Sequence, residues 1–177
     1  MSDKNYVDNK KFLAALIEYY KQCDEAKERG EELPRVTEYI GMTLRDIAYG
    51  IARRPNFSSY SYKDEMIADG IENSLKAIHN FDPSKAETPN PFGYFSRVIW
   101  FAFLRRIEDE HRETYNKYKA TEKAYIDGDI SELVAGGVVY NDYMKDFIIN
   151  YEKKLEKRRV QQKERKNLEK LMSESQD

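Results

Sequence analysis

A chain of 177 residues has room for one apolar core and a tail, since single cores usually serve roughly 100–150 residues. Its 35% charged and 40% apolar content suits a helical protein, and eight glycines with five prolines are too few turn formers for a β-sandwich. A formal charge of −2 excludes a uniformly basic nucleic-acid coat, so any DNA contact must come from local clusters of Lys and Arg.

Phe12, Leu13, Leu16, Ile17, Tyr20 and Cys23 recur at spacings of three and four, which predicts a first helix closing near Gly30. Pro34 suits a first helical turn, and Val36, Ile40, Leu44, Ile47, Ala48 and Ile51 carry a second helix to Arg54, where Pro55 discourages continuation. The stretch NFSSYS reads as a loop that supplies Ser61 as the N-cap of a third helix. That helix has an apolar stripe of Ile67, Ile71, Leu75 and Ile78 and ends at Asn80. Gly70 in its middle costs about 1 kcal/mol against alanine, which implies close packing of a neighbouring helix.

Residues 82–91 hold three of the five prolines and form a connector, and Pro91 opens a fourth helix through PFGYFSRVIWFAFLRRIEDEHRETYNKYK. The apolar run Val98 to Leu104 has the composition of a strand, yet neither Gly nor Pro separates it from the charged continuation, and helix is the preferred reading. Residues 124–151, with Gly136-Gly137 and several tyrosines, predict only short helices and a loop. From Tyr151 to Met172 a charge-dense helix follows, with nine basic residues between Lys153 and Lys170. The expected architecture is all-α: a compact helical bundle over 1–120, an irregular connector over 121–150 and a charged helical tail over 151–177.

Cys23 stands alone, which leaves no intrachain disulfide, and no Cys/His cluster has structural-zinc spacing, so no metal site is expected and a reducing cytosol fits. The N-terminal MSDKNYVDNKKF lacks the apolar run of a signal peptide, and Val98 to Leu104 is too short to span a bilayer, so neither export nor membrane insertion is expected. With His79 and His111 the only histidines, and neither a Gly-rich phosphate loop nor a nucleophile motif, no enzyme and no cofactor are expected.

The fourth helix carries the sharpest chemical signal. Tyr94, Phe95, Trp100, Phe101 and Phe103 lie among Arg97, Arg105, Arg106, His111 and Arg112, and rings beside guanidinium groups suit a single strand of DNA. Each stacked base is worth about 1–3 kcal/mol, and each neutralised phosphate adds a salt-dependent contribution. The competing reading of the same spacing is that these rings are the middle of the core. On the third helix, Glu65, Asp69 and Glu72 fall at spacings of four and three and share one face, either an acidic docking ridge or simply a solvated side.

The runs EMIADGIENSLKAIHNFD, Glu65 to Asp82, and NPFGYFSRVIWFAFLRRIEDEHRE, Asn90 to Glu113, resemble the late-transcription sigma factors of T-even-type bacteriophages and their cyanophage relatives. These small factors are similar to region two of bacterial sigma factors. The resemblance covers about residues 36–119, roughly half the chain, and is most specific at IADGIE. It implies a transcription initiation factor in the cytoplasm of an infected bacterium, one that binds the RNA polymerase core, recognises an AT-rich minus-ten-type element of phage late promoters and stabilises the melted non-template strand. It implies that the Glu65–Phe81 helix docks on the clamp helices of the largest polymerase subunit through Glu65, Asp69, Glu72, Leu75 and Lys76. The melting helix corresponds to Phe92 through Arg112. There Tyr94 holds the place of a base-stacking tyrosine, Trp100 and Phe101 add rings, and Ser96, Arg97, Arg105, Arg106 and Arg112 complete the DNA contacts. Primary sigma factors place paired tryptophans just after that tyrosine, whereas Arg97 and Val98 stand here, so the wedge that opens DNA differs.

Nothing after residue 120 reads as a helix-turn-helix for an upstream promoter element. In the T-even-type family a sliding clamp and a co-activator replace those contacts, and the clamp is gripped by a hydrophobic and acidic C-terminal segment. The tail KNLEKLMSESQD offers Leu168, Leu171 and Met172 beside Glu174 and Asp177 but lacks the aromatic residue of a clamp-binding peptide; a solvated helix is the competing reading. The main alternative to a sigma factor is a polymerase-binding adaptor or anti-sigma protein that does not touch bases. General binding to single-stranded nucleic acid is a third.

Overall fold

The computed structural model describes residues 7–85, 87–128 and 140–174, without the side chains of residues 170, 171, 173 and 174. Every regular element among the described residues is helical, as the composition predicts. The chain divides into two units, one ending at Glu108 and one beginning at Asp109.

In the first unit, α1 spans Asn9–Arg29. Asp8 caps it by accepting from the Lys10 and Lys11 amides at 3.0 and 3.1 Å, and Gly30 closes it at φ 69°, a left-handed conformation open to glycine without strain. Phe12, Leu16, Tyr19, Cys23 and Ala26 face inward; Ile17, expected on that stripe, is half exposed. α2 spans Glu38–Ala52, and the Thr37 hydroxyl accepts from the Ile40 amide, so the helix starts at that cap and not near Pro34. Its buried row, Ile40, Leu44, Ile47, Ala48 and Ile51, matches the sequence pattern.

The expected loop after Arg54 begins as a single helical turn, α3, Pro55–Ser58. Proline at its first position supplies the required φ, and the turn drives Phe57 into the core. α4 spans Lys63–Lys76 and is preceded by Tyr62, with no side-chain cap from Ser61. Its inner row is Met66, Ile67, Gly70 and Ser74, while Leu75 sits outside the core at 39% exposure, a correction to the expected stripe. The reason lies at Gly70. A Cβ there would come within 2.9 Å of Ile99 Cγ2 and of Phe103 Cε1, so α5 packs directly on the bare backbone and rotates the stripe toward Gly70 and Ser74. The close approach expected from the glycine is thus present.

Two 3₁₀ turns, Ile78–Asn80 and Pro83–Lys85, lead to α5, Pro91–Ile126. Asn90 starts α5 by accepting from the Gly93 amide, and Asn9 accepts from the Phe92 amide at 3.1 Å, fastening the start of α5 to the start of α1. Phe95, Ile99, Ala102 and Phe103 bury one side of α5.

The second unit comprises α5 from Asp109 onward and α6, Asp142–Glu174. The irregular connector expected over 121–150 is helical at both ends, and residues 129–139 lie outside the described residues. The two helices pair antiparallel through rings: Tyr118 against Phe147 at 5.3 Å, and Tyr115 stacked on Tyr151 at 4.7 Å. Tyr143, Phe147 and Tyr151 are four apart, so these rings form a row on one side of α6 that a pattern of aliphatic residues does not reveal. No helix among the described residues is long and apolar enough to cross a membrane.

Candidate nucleic-acid interface

The face of α5 opposite its buried row carries Arg97, Phe101, Leu104 and Arg105 at successive spacings of four, three and one. Phe101 is 56% exposed and Leu104 42% exposed, so the apolar run is only partly core. Periodicity explains the division. A seven-residue apolar run goes nearly twice around a helix, and only the sides toward α1, α3 and α4 are covered.

Two flanks border this ridge. On one, the half-buried Trp100 packs edge-on against Phe57 at 4.7 Å, and the Arg54 guanidinium lies 5.9 Å from its ring centre. Arg54 and Phe57 were not singled out by sequence reasoning. The signal available was the Arg53-Arg54-Pro55 triplet, which puts a cation at a helix end just before a turn.

The other flank is the ridge's own N-terminal end, where Tyr94, seven residues before Phe101 and so on the same side of the helix, is half buried, 5.3 Å from Phe81 and 5.0 Å from Phe95. Its hydroxyl donates to the Ala77 carbonyl at 3.3 Å, and burial raises its pKa. Tyr94 therefore serves partly as a packing residue. Ser96 Oγ is shut away from solvent with no hydrogen-bond partner among the described residues, so this hydroxyl does not front the ridge.

The arginines divide in the same way. Arg97 is exposed and makes no ion pair with a described residue. Arg105 donates to Asn73 Oδ1 at 2.9 Å. Arg106 forms a two-pronged pair with Asp69, Nε to Oδ2 at 2.7 Å and Nη2 to Oδ1 at 3.0 Å. Arg106 and Asp69, expected to serve phosphate and polymerase respectively, hold each other and so fasten α5 to α4. Arg112 lies in the second unit, paired with Asp109 at 2.7 Å.

Along α4, Glu65, Asp69 and Glu72 do share an outward face with Leu75 and Lys76. Lys76 neutralises Glu72, and Arg106 neutralises Asp69, which leaves Glu65 as the ridge carboxylate with no basic partner among the described residues. The ridge is an amphipathic strip with less net charge than its composition suggests. In the tail, Leu168 and Met172 are exposed at 60% and 65%, while the side chain of Leu171 and those of Glu174 and Asp177 lie outside the described residues. No cluster of three metal-ligating side chains occurs among the described residues.

The fold and this ridge define a helical bundle that presents rings and cations on one helix. No protein-family model matches the chain, and no curated protein matches it.

Proposed function

We propose that the chain is a sigma-like transcription initiation factor that binds the RNA polymerase core and grips the melted non-template strand of an AT-rich promoter element. The observation that carries this reading is the open ridge of α5: Phe101, 56% exposed, between Arg97 and Leu104, with Trp100 beside Arg54. Leaving Phe101 56% exposed forgoes roughly 1 kcal/mol of burial, and a base stacked on it is worth about 1–3 kcal/mol. Arg97 is positioned by its exposure to neutralise a phosphate. Pyrimidine–purine steps such as TA unstack most easily, which suits an AT-rich element.

In this reading the bases stack on Phe101 and Trp100, with Tyr94 as a half-buried support. Arg105 and Arg106 act mainly by fixing α5 on α4. The polymerase docks on the outer strip of α4 through Glu65, Glu72, Leu75 and Lys76. The setting is the cytoplasm of an infected bacterium and the promoters are late phage promoters. A sliding clamp gripped through Leu168, Leu171 and Met172, together with a co-activator, supplies the upstream contacts.

One observation favours the adaptor reading instead: Arg105 and Arg106, two of the expected phosphate contacts, already have protein partners. In vitro transcription from a supercoiled late-promoter template with purified core polymerase separates the two. A sigma factor supports initiation, and Phe101→Ala with Arg97→Ala reduces it while leaving core binding intact. An adaptor supports none on its own, and those substitutions change nothing.

A further inference from the structure

We propose that the basic part of α6, from Lys153 to Lys170, is a second nucleic-acid surface that holds double-stranded DNA by its phosphates without reading sequence. Charge is segregated there. Nine basic and three acidic residues leave this segment at +6, so the rest of a chain with overall charge −2 stands at −8. A helix kept basic inside an otherwise acidic chain has a polyanion as its complement.

Exposure makes the charge available. From Glu156 to Glu169 every side chain is exposed. Lys153, Lys154, Lys157, Lys163 and Lys166 make no ion pair with a described residue, and the two pairs formed by Arg159–Glu156 and Arg165–Glu169 are solvent-exposed, at 4.0 and 3.1 Å. Exposed pairs contribute so little that a phosphate displaces the carboxylate readily.

The distribution around the axis selects the kind of polyanion. At 3.6 residues per turn, Lys153 and Lys157 lie on one side, Lys154, Arg158 and Arg165 follow, Arg159 and Lys166 come nearly opposite, and Lys163 completes the circle, so no gap exceeds about 80°. A helix lying on a membrane needs an apolar side to bury, and Leu155, Val160 and Leu168 do not gather into one. A helix with cations all round suits a space walled by phosphates on both sides. The major groove of a duplex is such a space, about 12 Å wide against a helix diameter of about 10–12 Å. The segment spans roughly 27 Å, enough to follow about eight base pairs.

This surface belongs to the second unit and does not rest on the proposed grip of α5 on a melted strand. Its test uses the full chain without polymerase and a fluorescein-labelled 30-base-pair duplex of random sequence, read by anisotropy between 50 and 200 mM salt. Replacing Lys153, Lys154, Lys157, Lys163 and Lys166 with Gln is expected to lower affinity at least tenfold at 50 mM and to flatten the slope of log K on log salt by up to about 4.5, near 0.9 per lost phosphate contact. Replacing the same five with Arg is expected to preserve binding, which separates charge from folding. Absence of duplex binding at 50 mM, an unchanged slope in the Gln variant, or tighter binding to vesicles containing 30% phosphatidylserine than to the duplex overturns the proposal.

Discussion

Between Val7 and Glu108 the helices close over Phe12, Phe57, Phe95 and Phe103, each at most 1% exposed, whereas from Asp109 onward Ile148 is the buried apolar residue among those described. The first unit is held mainly by apolar packing, which carries no charge to be titrated or screened. The second is held by rings at half-exposed positions and by a polar bridge: Lys119 between Glu122 and Glu152 at 2.7 and 3.4 Å, with Tyr140 donating to Glu122 at 2.8 Å and Tyr115 to Glu152 at 3.0 Å. The contrast assigns a rigid platform to the α5 ridge and a titratable, salt-sensitive hairpin to the basic helix.

The sharpest way to break this comparison is Phe103→Ala. It removes a ring packed on Phe57 at 5.2 Å and against Gly70, and a loss of about 3–5 kcal/mol in urea unfolding of the first unit is expected. A loss under 1 kcal/mol contradicts the assignment of the core. Gly70→Val follows, at roughly 2–3 kcal/mol, because its branched side chain meets Ile99 and Phe103. Gly70→Ala costs less, since the gain in helix propensity of about 1 kcal/mol offsets part of the overlap.

Next comes the pair of Asp69 with Arg106, whose side chains are 27% and 30% exposed. Asp69→Ala should cost about 1–2 kcal/mol. A double-mutant cycle with Arg106→Ala should show coupling of about 1 kcal/mol, and no coupling contradicts a fastening role.

The smallest effects are those of pH, and they run in opposite directions at two sites. In the second unit, the hydrogen bond from Lys119, then that from Tyr140, lowers the Glu122 pKa. A carboxylate depressed in the folded state contributes stability above its ordinary range near pH 4.3 and loses it as pH falls through the folded value. An NMR titration of the Glu122 side-chain carboxyl from pH 7 to pH 2 should show the depressed midpoint, and Tyr140→Phe should move it upward. In the first unit, Tyr20 donates to the Ile78 carbonyl at 2.6 Å, and burial raises its pKa, as it raises that of Tyr19 to about 12. Those groups contribute below pH 10 and lose their contribution as pH rises through the folded values, so alkaline titration should unfold the first unit in step with tyrosine ionisation at 295 nm.

The contrast also marks what local pattern can reveal. Ile40, Leu44, Ile47 and Ile51 repeat with helical spacing, and that repeat alone identifies a buried face. Gly70 announces a close helix contact because nothing else justifies glycine in mid-helix. Local pattern does not disclose that Arg105 and Arg106 meet Asn73 and Asp69, partners 32 and 37 residues away, and so it leaves open which arginines face a ligand. Nor does it divide the rings of Val98 to Leu104, since a run apolar on every side has no phase; only packing on α4 and Phe57 separates buried Phe103 from open Phe101. The tyrosine row of α6 is legible once tyrosines are counted as apolar, and Leu75 is misplaced because a glycine and a serine hold the inner row in place of aliphatic residues.

Permanganate oxidation of promoter thymines, with core polymerase and either the native chain or Phe101→Ala, tests the strand-gripping ridge most directly, because Phe101 is open enough to be removed without disturbing the core. The native chain should render the thymines of the AT-rich element reactive, and Phe101→Ala should reduce that reactivity roughly 5- to 150-fold, the equivalent of one lost base stack of about 1–3 kcal/mol. Equal reactivity with both chains, or none with the native chain bound to polymerase, would contradict a sigma-like role for α5.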